Sequence, residues 1–168
     1  MIDLVCHPQT PCPAIRSLQA RVSRAPRGLA VRYRIEGDLA SLRIPARRAP
    51  APGERLWQHT CCEPFVGRPE GTAYREFNFS PSGEWAAYAF ERYREGGPLP
   101  APDPMIEVRR GDDSMELGAQ VEAAAQKLLL AISAVIEGRD GTLSYWALRH
   151  PAGKPDFHHR EAFALELA

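Results

Sequence analysis

The stretch YREFNFSPSGEWAAYAFERY, residues 74–93, gives the clearest prediction of secondary structure in the chain. Two aromatic-rich runs flank residues 80–83, and the proline and glycine of that short linker favour a tight turn. Because side chains alternate along a strand, each run presents two faces. The faces are Tyr74, Glu76 and Asn78 against Arg75, Phe77 and Phe79, then Ala86, Tyr88 and Phe90 against Trp85, Ala87 and Ala89. This pattern predicts an antiparallel hairpin with one face of each strand lining a core.

The same alternation with period two occurs upstream of this hairpin. The apolar positions are Leu18, Ala20 and Val22, followed by Leu29, Val31, Tyr33 and Ile35. Residues 24–28 separate the two runs and contain Pro26 and Gly28, which suit a hairpin connection. The proline-rich stretches Pro45 to Gly53 and Gly96 to Pro104 cannot supply a continuous ladder of backbone donors, so we expect exposed loops there.

The segment from residue 116 to 137 is ambiguous. Its alanine, glutamate, leucine and lysine content favours a helix over Glu116 to Ile132 by intrinsic propensity. However, a continuous apolar run ends at residue 136 and is followed by an Asp-Gly turn and the alternating TLSYWAL. We therefore predict strands over Glu116 to Ala124 and Leu129 to Glu137, with a terminal strand in EAFALEL.

About nine or ten short strands joined by loops predict an all-β fold, an antiparallel β-sandwich of jelly-roll-like topology. The chain has 168 residues, which suits a single domain over residues 1–168. Candidate core residues are Phe77, Phe79, Tyr88, Phe90, Ile132, Val135, Leu143, Phe163 and Leu165.

Charge and hydropathy patterns exclude several classes of partner. Basic and acidic residues balance at 21 each, so no summed field attracts nucleic acid or an anionic membrane. No apolar run approaches the roughly 20 residues that span a bilayer, and the first residues lack the pattern of a secretory signal. We expect a cytoplasmic protein in which Cys6, Cys12, Cys61 and Cys62 are free thiols.

Few residue patterns point to catalysis or to a cofactor. His59 stands two residues from Cys61, on the same face of a predicted strand, but no signature of a cysteine hydrolase surrounds the pair. A metal site built from Cys6, His7, His59 and Cys61 is disfavoured because Cys61 and Cys62 would face opposite sides of a strand. Nucleotide-binding glycine loops are absent from the sequence. We therefore expect no cofactor.

The densest polar cluster is HPAGKPDFHHR, residues 150–160, stiffened by Pro151 and Pro155. Lys154, Asp156 and His158 within it suit recognition on a rigid loop, although a turn with solvated side chains gives the same pattern. The three tryptophans, Trp57, Trp85 and Trp146, likewise suit either a sandwich core or an exposed platform for a ligand.

Four strings carry a resemblance to a known family: LWQHTCCEPFVG, EFNFSPSGEWAAYAFERYREG, SAVIEGRDGTLSYWALRHPAGKPDFHH and FALEL. With these strings, spread from about Ile2 to Leu167, the chain resembles an uncharacterised bacterial family of DOMON-like proteins. That family is similar to type nine carbohydrate-binding modules and, more distantly, to DOMON domains that bind haem or sugars. The resemblance implies the sandwich fold and a ligand site, and it names no activity.

The resemblance also implies particular site residues. In type nine modules a tryptophan and a glutamate six residues later help to form the sugar site, and Trp57 and Glu63 stand at the matching places. The second tryptophan of those modules has no counterpart here, since the C-terminal loop offers only Phe157. The methionine and histidine that hold haem in DOMON cytochromes are also unmatched, because Met105 and Met115 stand beside no recognisable partner motif.

These observations predict a non-catalytic module that binds a carbohydrate or another small polar ligand at one edge of the sandwich. The expected site residues are Trp57, His59, Glu63, Lys154, Asp156, Phe157 and His158, which we expect to meet in one pocket where the sandwich loops gather. A Lys154 amine within about 4 Å of a pocket carboxylate would keep it ionised. The alternatives are a small enzyme using Glu63, Asp156 and His158 in acid–base chemistry, a haem-binding domain, and a scaffold that binds only protein.

Overall fold

The computed structural model describes residues 1–100, 103–124 and 126–168, and strands dominate it. In chain order the strands are β1 (Ile2–Asp3), β2 (Val5–Cys6), β3 (Ile15–Ala25), β4 (Gly28–Gly37), β5 (Ala51–Pro52), β6 (Cys61–Gly67), β7 (Tyr74–Phe79), β8 (Glu84–Arg92), β9 (Glu95–Pro98), β10 (Met105–Arg110), β11 (Ser114–Glu122), β12 (Leu128–Glu137), β13 (Leu143–Ala147) and β14 (Leu165–Leu167). The helices of the described residues are three short 3-10 turns, Leu39–Ser41, Leu56–Gln58 and Arg160–Ala162.

The strands form two sheets that pack as a sandwich. The first sheet has the order β1-β3-β4-β11-β10. The second has the order β2-β13-β12-β6-β7-β8-β5, with β14 paired to β12 and β9 paired to β8. All pairings are antiparallel except the two-residue pairing of β5 with β8. The predicted all-β antiparallel sandwich is therefore confirmed, with more strands than expected because several of them are only two residues long.

The hairpin of residues 74–93 forms as its sequence predicts. β7 and β8 pair from Tyr74 opposite Phe90 to Phe79 opposite Trp85. In the connecting turn the amide of Gly83 donates to the carbonyl of Ser80 at 3.0 Å. Gly83 has φ +97°, a conformation that glycine adopts without the steric cost of a side chain.

The main core lies between the two sheets and follows the alternation. Leu18, Leu29, Val31, Tyr33 and Ile35 of the first sheet are all nearly inaccessible to solvent. From the second sheet, Phe77, Phe79 and Ile132 pack against them, as predicted.

Packing also settles the ambiguous segment from residue 116 to 137. β11 buries Met115, Leu117, Ala119 and Val121 on one face, so the period-two pattern outweighs the helix propensity of its residues. β12 is a strand over its whole length and pairs with β6, β13 and β14. Both predicted segments form strands, although the first runs over Ser114–Glu122 and does not reach Ala124.

Two predicted loops contain short strands. Within Gly96 to Pro104, residues up to Pro98 belong to β9, and residues 101 and 102 lie outside the described residues. Within Pro45 to Gly53, Ala51–Pro52 forms β5 at the end of the second sheet. A proline is tolerated there because an edge strand needs fewer backbone donors.

A second apolar cluster covers the opposite face of the second sheet. Its buried members are Phe65, Tyr74, Ala131, Val135, Ala147, Phe157, Ala162 and Phe163. Val135 and Phe163 were expected in the core and lie here, with Leu143 partly buried against them, while Leu165 is partly buried against the main core. Tyr88 and Phe90 are a correction: they are only half-buried because their face of β8 borders a cavity.

We expect Phe79→Ala to destabilise the protein by about 3–5 kcal/mol, because the ring is fully buried and its loss leaves a cavity between the sheets. Met105→Ala, at a side chain 65% exposed on β10, is the control and should change stability by less than about 0.5 kcal/mol. Urea unfolding monitored by far-ultraviolet circular dichroism measures both. Equal stability of the two variants would contradict the position of Phe79 between the sheets.

Candidate functional site

A cavity of about 350 Å³ opens on the face of the second sheet that is turned away from the first sheet. Its floor consists of Glu63 from β6, Glu76 from β7, Tyr88 and Phe90 from β8, Val135 from β12 and Tyr145 from β13. Three connections form its walls. They carry Trp57 on the 3-10 turn before β6 and Arg94 on the turn after β8. The third is the C-terminal segment, residues 148–164 between β13 and β14, which carries Pro155, Phe157 and His158.

The strand register brings the two floor carboxyls together. Cys62 pairs with Phe79 and Phe65 pairs with Glu76 across β6 and β7. Glu63 and Glu76 therefore project from the same face as diagonal neighbours on adjacent strands. Their opposite-face neighbours on the same strands fill the main core.

Glu63 is a buried carboxyl with one oxygen that has no hydrogen-bond partner among the described residues. Its side chain belongs to a strand that is buried at every position, and its Oε1 atom has no hydrogen-bond partner among the described residues. Burial raises the pKa of Glu63 well above its usual value, and the charge of Glu76 raises it further. Both effects favour the protonated acid in the unliganded cavity. The amide of Asn78, on the same face of β7 as Glu76, is also buried and unpartnered in that part of the chain.

Glu76 faces His158 across the cavity. The Nε2 atom of His158 lies 3.5 Å from Oε2 of Glu76. Burial raises the pKa of Glu76 to about 7. Burial and then the charge of Arg94 lower the pKa of His158 to about 4. At neutral pH His158 is therefore uncharged, while Glu76 gains and loses its proton near pH 7.

Tyr74 holds the ring of His158 in place. Its hydroxyl lies 2.8 Å from Nδ1 of His158 and accepts the backbone N–H of Arg94 at 3.1 Å. The ring of His158 also packs edge-on against Phe65 and Phe90, with centroids 5.1 Å away in both cases. In the tautomer in which the Tyr74 hydroxyl donates to Nδ1, neutral His158 carries its proton on Nε2, which faces Glu76.

Asp156 connects the C-terminal segment to the turn after β8. Oδ1 accepts from Nη2 of Arg94 at 3.1 Å, and Oδ2 accepts from the hydroxyl of Tyr93 at 2.5 Å. Burial acts to raise the pKa of Asp156, but the hydrogen bonds from Tyr93 and Arg94 and the guanidinium charge outweigh it, so the pKa lies below its usual value. Arg94 reaches this position from a left-handed backbone conformation, φ +55°, which is strained for a residue with a side chain.

Histidines near the N-terminus and in the loop brace the rest of the C-terminal segment. His7 Nε2 lies 2.9 Å from the carbonyl oxygen of Gly153, and His150 Nε2 lies 2.7 Å from that of Val5. The two imidazole rings meet edge to face at 4.9 Å. These contacts hold the segment against the sheet, where Phe157 is buried.

Four of the expected site residues line this cavity together: Trp57, Glu63, Phe157 and His158. They come from two segments almost a hundred residues apart in the sequence. The ring of Trp57 is 41% exposed and meets Tyr88 edge to face at 6.0 Å, so much of its surface is free for another molecule.

Three expected residues lie outside the cavity lining. His59 turns away because the 3-10 turn interrupts the strand alternation, and its Nδ1 lies 2.8 Å from Oε2 of Glu137. Lys154 is exposed on the outer side of its loop. Asp156 does not line the cavity. Its cationic partner is Arg94 and not the expected Lys154.

The cavity that these four residues line does not lie at the end of the sandwich. The sequence suggested the loops at one end of the sandwich, whereas the cavity lies on a sheet face. The physical reason is that the second sheet is apolar on this face too, so the C-terminal segment folds back over it and leaves a gap.

Sequence reasoning missed Glu76, Tyr88, Phe90, Arg94 and Tyr145 as cavity residues. A signal for Glu76 was present, since it stands in an aromatic-rich strand on the face that carries Tyr74 and Asn78. Nothing in the sequence marks Arg94, because its role depends on the turn conformation and on Asp156, 62 residues later.

Among the described residues, no three histidine, cysteine, aspartate or glutamate side chains converge as a metal site. Met115 is buried in the main core and Met105 is exposed on β10, so neither lines the cavity. Within the same residues, no helix has the length and apolar character needed to cross a bilayer.

Comparison with known proteins finds one solved structure of similar fold. No protein-family model matches the chain, and no curated protein sequence matches it. The crystal structure of a candidate carbohydrate-binding protein from Bacteroides uniformis aligns with a TM-score of 0.55 at 17% sequence identity. The alignment covers 88% of this chain and 75% of that one. At this identity the likeness establishes the shared sandwich fold.

We expect Glu76→Gln to change how stability depends on pH. The pKa of Glu76 is raised in the folded state from 4.5 to about 7, so the folded protein binds a proton more tightly and loses stability as pH rises through that range. Between pH 5 and pH 8 this carboxyl should lower the unfolding free energy of the wild type by on the order of 2–3 kcal/mol. Glu76→Gln lacks the carboxyl and should not show this loss.

Urea unfolding at pH 5 and pH 8 measures this difference. His158 titrates lower, with its folded pKa near 4, and is present in both proteins, so its contribution largely cancels. Glu91→Gln, at an exposed position of β8, is the matched control and should leave the pH dependence unchanged. Parallel profiles for wild type and Glu76→Gln would show that Glu76 ionises normally.

Proposed function

We propose that this protein is a non-catalytic module that binds a carbohydrate or another small polar ligand in the cavity on the second sheet. The observation that carries the proposal is the combination of aromatic rings and buried carboxyls around one opening, with Oε1 of Glu63 left without a partner among the described residues. A buried polar atom without a protein partner is costly, and a bound ligand would satisfy it.

The residue types suit a sugar. Ring faces such as that of Trp57 pack against the apolar faces of sugar rings, and carboxyl groups exchange hydrogen bonds with hydroxyls. The volume of about 350 Å³ lies in the range of small-molecule pockets. The similar fold of the Bacteroides uniformis protein, itself a candidate for carbohydrate binding, supports the same class of ligand.

The finer expectations from the sequence belong to this proposal. They are a single DOMON-like domain similar to type nine carbohydrate-binding modules, a cytoplasmic location, and no nucleic-acid or membrane partner. The four cysteines are free thiols in the structure, in accord with a reducing compartment.

An enzyme is the second candidate, and one contact favours it. The 3.5 Å approach of neutral His158 to Glu76, whose pKa is about 7, places a proton donor beside a group that titrates at working pH. The expected catalytic set of Glu63, Asp156 and His158 would change accordingly, because Asp156 is already bonded to Tyr93 and Arg94.

We expect Trp57→Ala to weaken ligand binding by about ten- to a hundredfold, since a buried aromatic contact contributes about 1.5–3 kcal/mol. The ring is 41% exposed, so the fold should tolerate the change. Calorimetric titration with neutral and amino monosaccharides measures the loss, with Met105→Ala on the first sheet as the matched control. An unchanged affinity in Trp57→Ala would place the ligand elsewhere.

Incubation with the sugars that bind separates module from enzyme. A binding module returns them unchanged, as followed by chromatography over hours. Product that forms with the wild type and not with His158→Ala would overturn the non-catalytic assignment.

A further inference from the structure

Two carboxyls share the cavity, and among the described residues the one cation in its lining, Arg94, is already paired with Asp156. The guanidinium of Arg94 donates to Asp156 at 3.1 Å and to the hydroxyl of Tyr93 at 3.2 Å. His158 contributes only the N–H of a neutral ring, and Lys154 lies outside the lining. When both floor carboxyls ionise, the charge of Arg94, which Asp156 already partners, offsets only part of the negative charge in the cavity.

Oε1 of Glu63 is the atom to which a ligand would donate a hydrogen bond. The side chain is 3% exposed, lines the cavity, and leaves this oxygen without a partner in the part of the chain that the structure describes. A charged donor forms a stronger bond to a carboxylate than a neutral hydroxyl does. A cation in the cavity would satisfy this oxygen and offset the repulsion between Glu63 and Glu76.

The remaining lining favours the same kind of group. Aromatic residues surround the carboxyls, namely Trp57, Tyr88, Phe90, Tyr145 and Phe157. The faces of such rings attract cations electrostatically, tryptophan most strongly. Rings and carboxylates around one opening form a site for an ammonium group.

We propose that the ligand of this cavity carries a cationic amine, as in an amino sugar or a small alkylammonium compound, and that its ammonium group binds between Glu63, Glu76 and the aromatic rings. This inference rests on the proposed function, because it names the chemical class of ligand for the same cavity.

The surroundings decide the pH dependence of binding. The other titratable or charged groups around the two carboxyls are Cys61 and Cys62 on β6, Tyr74 on β7, Tyr88 on β8, Tyr33 on β4, and Arg94, Asp156 and His158. Burial raises the pKa of these thiols and phenols above their usual values, so they stay neutral below pH 8. Asp156 stays ionised and His158 stays neutral between pH 5.5 and 8. Glu76, whose pKa burial raises to about 7, is therefore the floor carboxyl that titrates there.

Matched pairs of ligands test the proposal by calorimetric titration. Glucosamine is compared with glucose, galactosamine with galactose, and choline with its uncharged analogue 3,3-dimethyl-1-butanol. We expect the charged member of at least one pair to bind about 10- to 100-fold more tightly than the neutral member. Choline keeps its charge at every pH, so its affinity should rise about tenfold from pH 5.5 to pH 8 as Glu76 ionises.

Substitutions of the two floor glutamates test whether they bind the charged group of the ligand. Glu63→Gln and Glu76→Gln keep the shape of the side chain, and each should reduce the preference for the charged member by about tenfold or more. Glu91→Gln, on the exposed part of β8, should leave it unchanged. Circular dichroism and urea unfolding of each variant confirm that the fold is retained.

The outcomes separate this inference from the proposed function. Equal or tighter binding of the neutral sugars would overturn the amine and leave the carbohydrate module standing. Binding of choline without any sugar would support the amine and overturn the carbohydrate. A charge preference that survives in both glutamine variants would overturn the site between Glu63 and Glu76. Failure of all six compounds to bind would overturn both proposals.

Discussion

The second sheet is apolar on both faces, and the rest of the structure depends on how its second face is covered. β6 is buried at all seven positions, and β12 is buried at nine of its ten positions. One face packs against the first sheet, as in any sandwich. The other has no third sheet, so the C-terminal segment folds over it and inserts Phe157 and Phe163 next to Phe65. Burial of these rings gives the segment its place, since exposed apolar surface of that extent would be unfavourable.

This cover is incomplete, and the cavity occupies the gap. The segment is tied down by contacts between His7 and Gly153, and between Asp156 and Arg94. Between these two contacts the cavity separates the C-terminal segment from the strands. The strand surface there carries Glu63 and Glu76 among apolar residues. Burying two carboxyls side by side opposes folding, because each loses solvation and each repels the other. Groups that cost stability and open onto a cavity are typical of sites that bind or react with another molecule.

The two outer faces of the sandwich are therefore unlike. On the first sheet, Arg34 pairs with Glu36 at 2.6 Å and with Glu116 at 3.3 Å, and these side chains are solvated. Such ion pairs contribute little to stability and leave a polar, well-hydrated surface. On the second sheet the corresponding face is apolar, partly covered and acidic at its centre. The strand pattern sets this asymmetry, and the cavity with its two carboxyls therefore lies on one side of the molecule.

The amino-acid pattern alone predicted the all-β sandwich, the hairpin of residues 74–93, and the strands β11 and β12 to within about two residues at each end, because period-two alternation and turn residues act locally. It also selected Trp57, Glu63, Phe157 and His158, through the type nine resemblance and the polar cluster of the C-terminal loop. Only the tertiary structure decided that these four meet on a sheet face, that Glu76 joins them, and that Arg94 pairs with Asp156. It also decided that His59 and Lys154 point elsewhere. The physical reason is that strand register, turn conformation and the docking of a distant segment are set by contacts between residues far apart in the chain, which alternation along one strand does not encode.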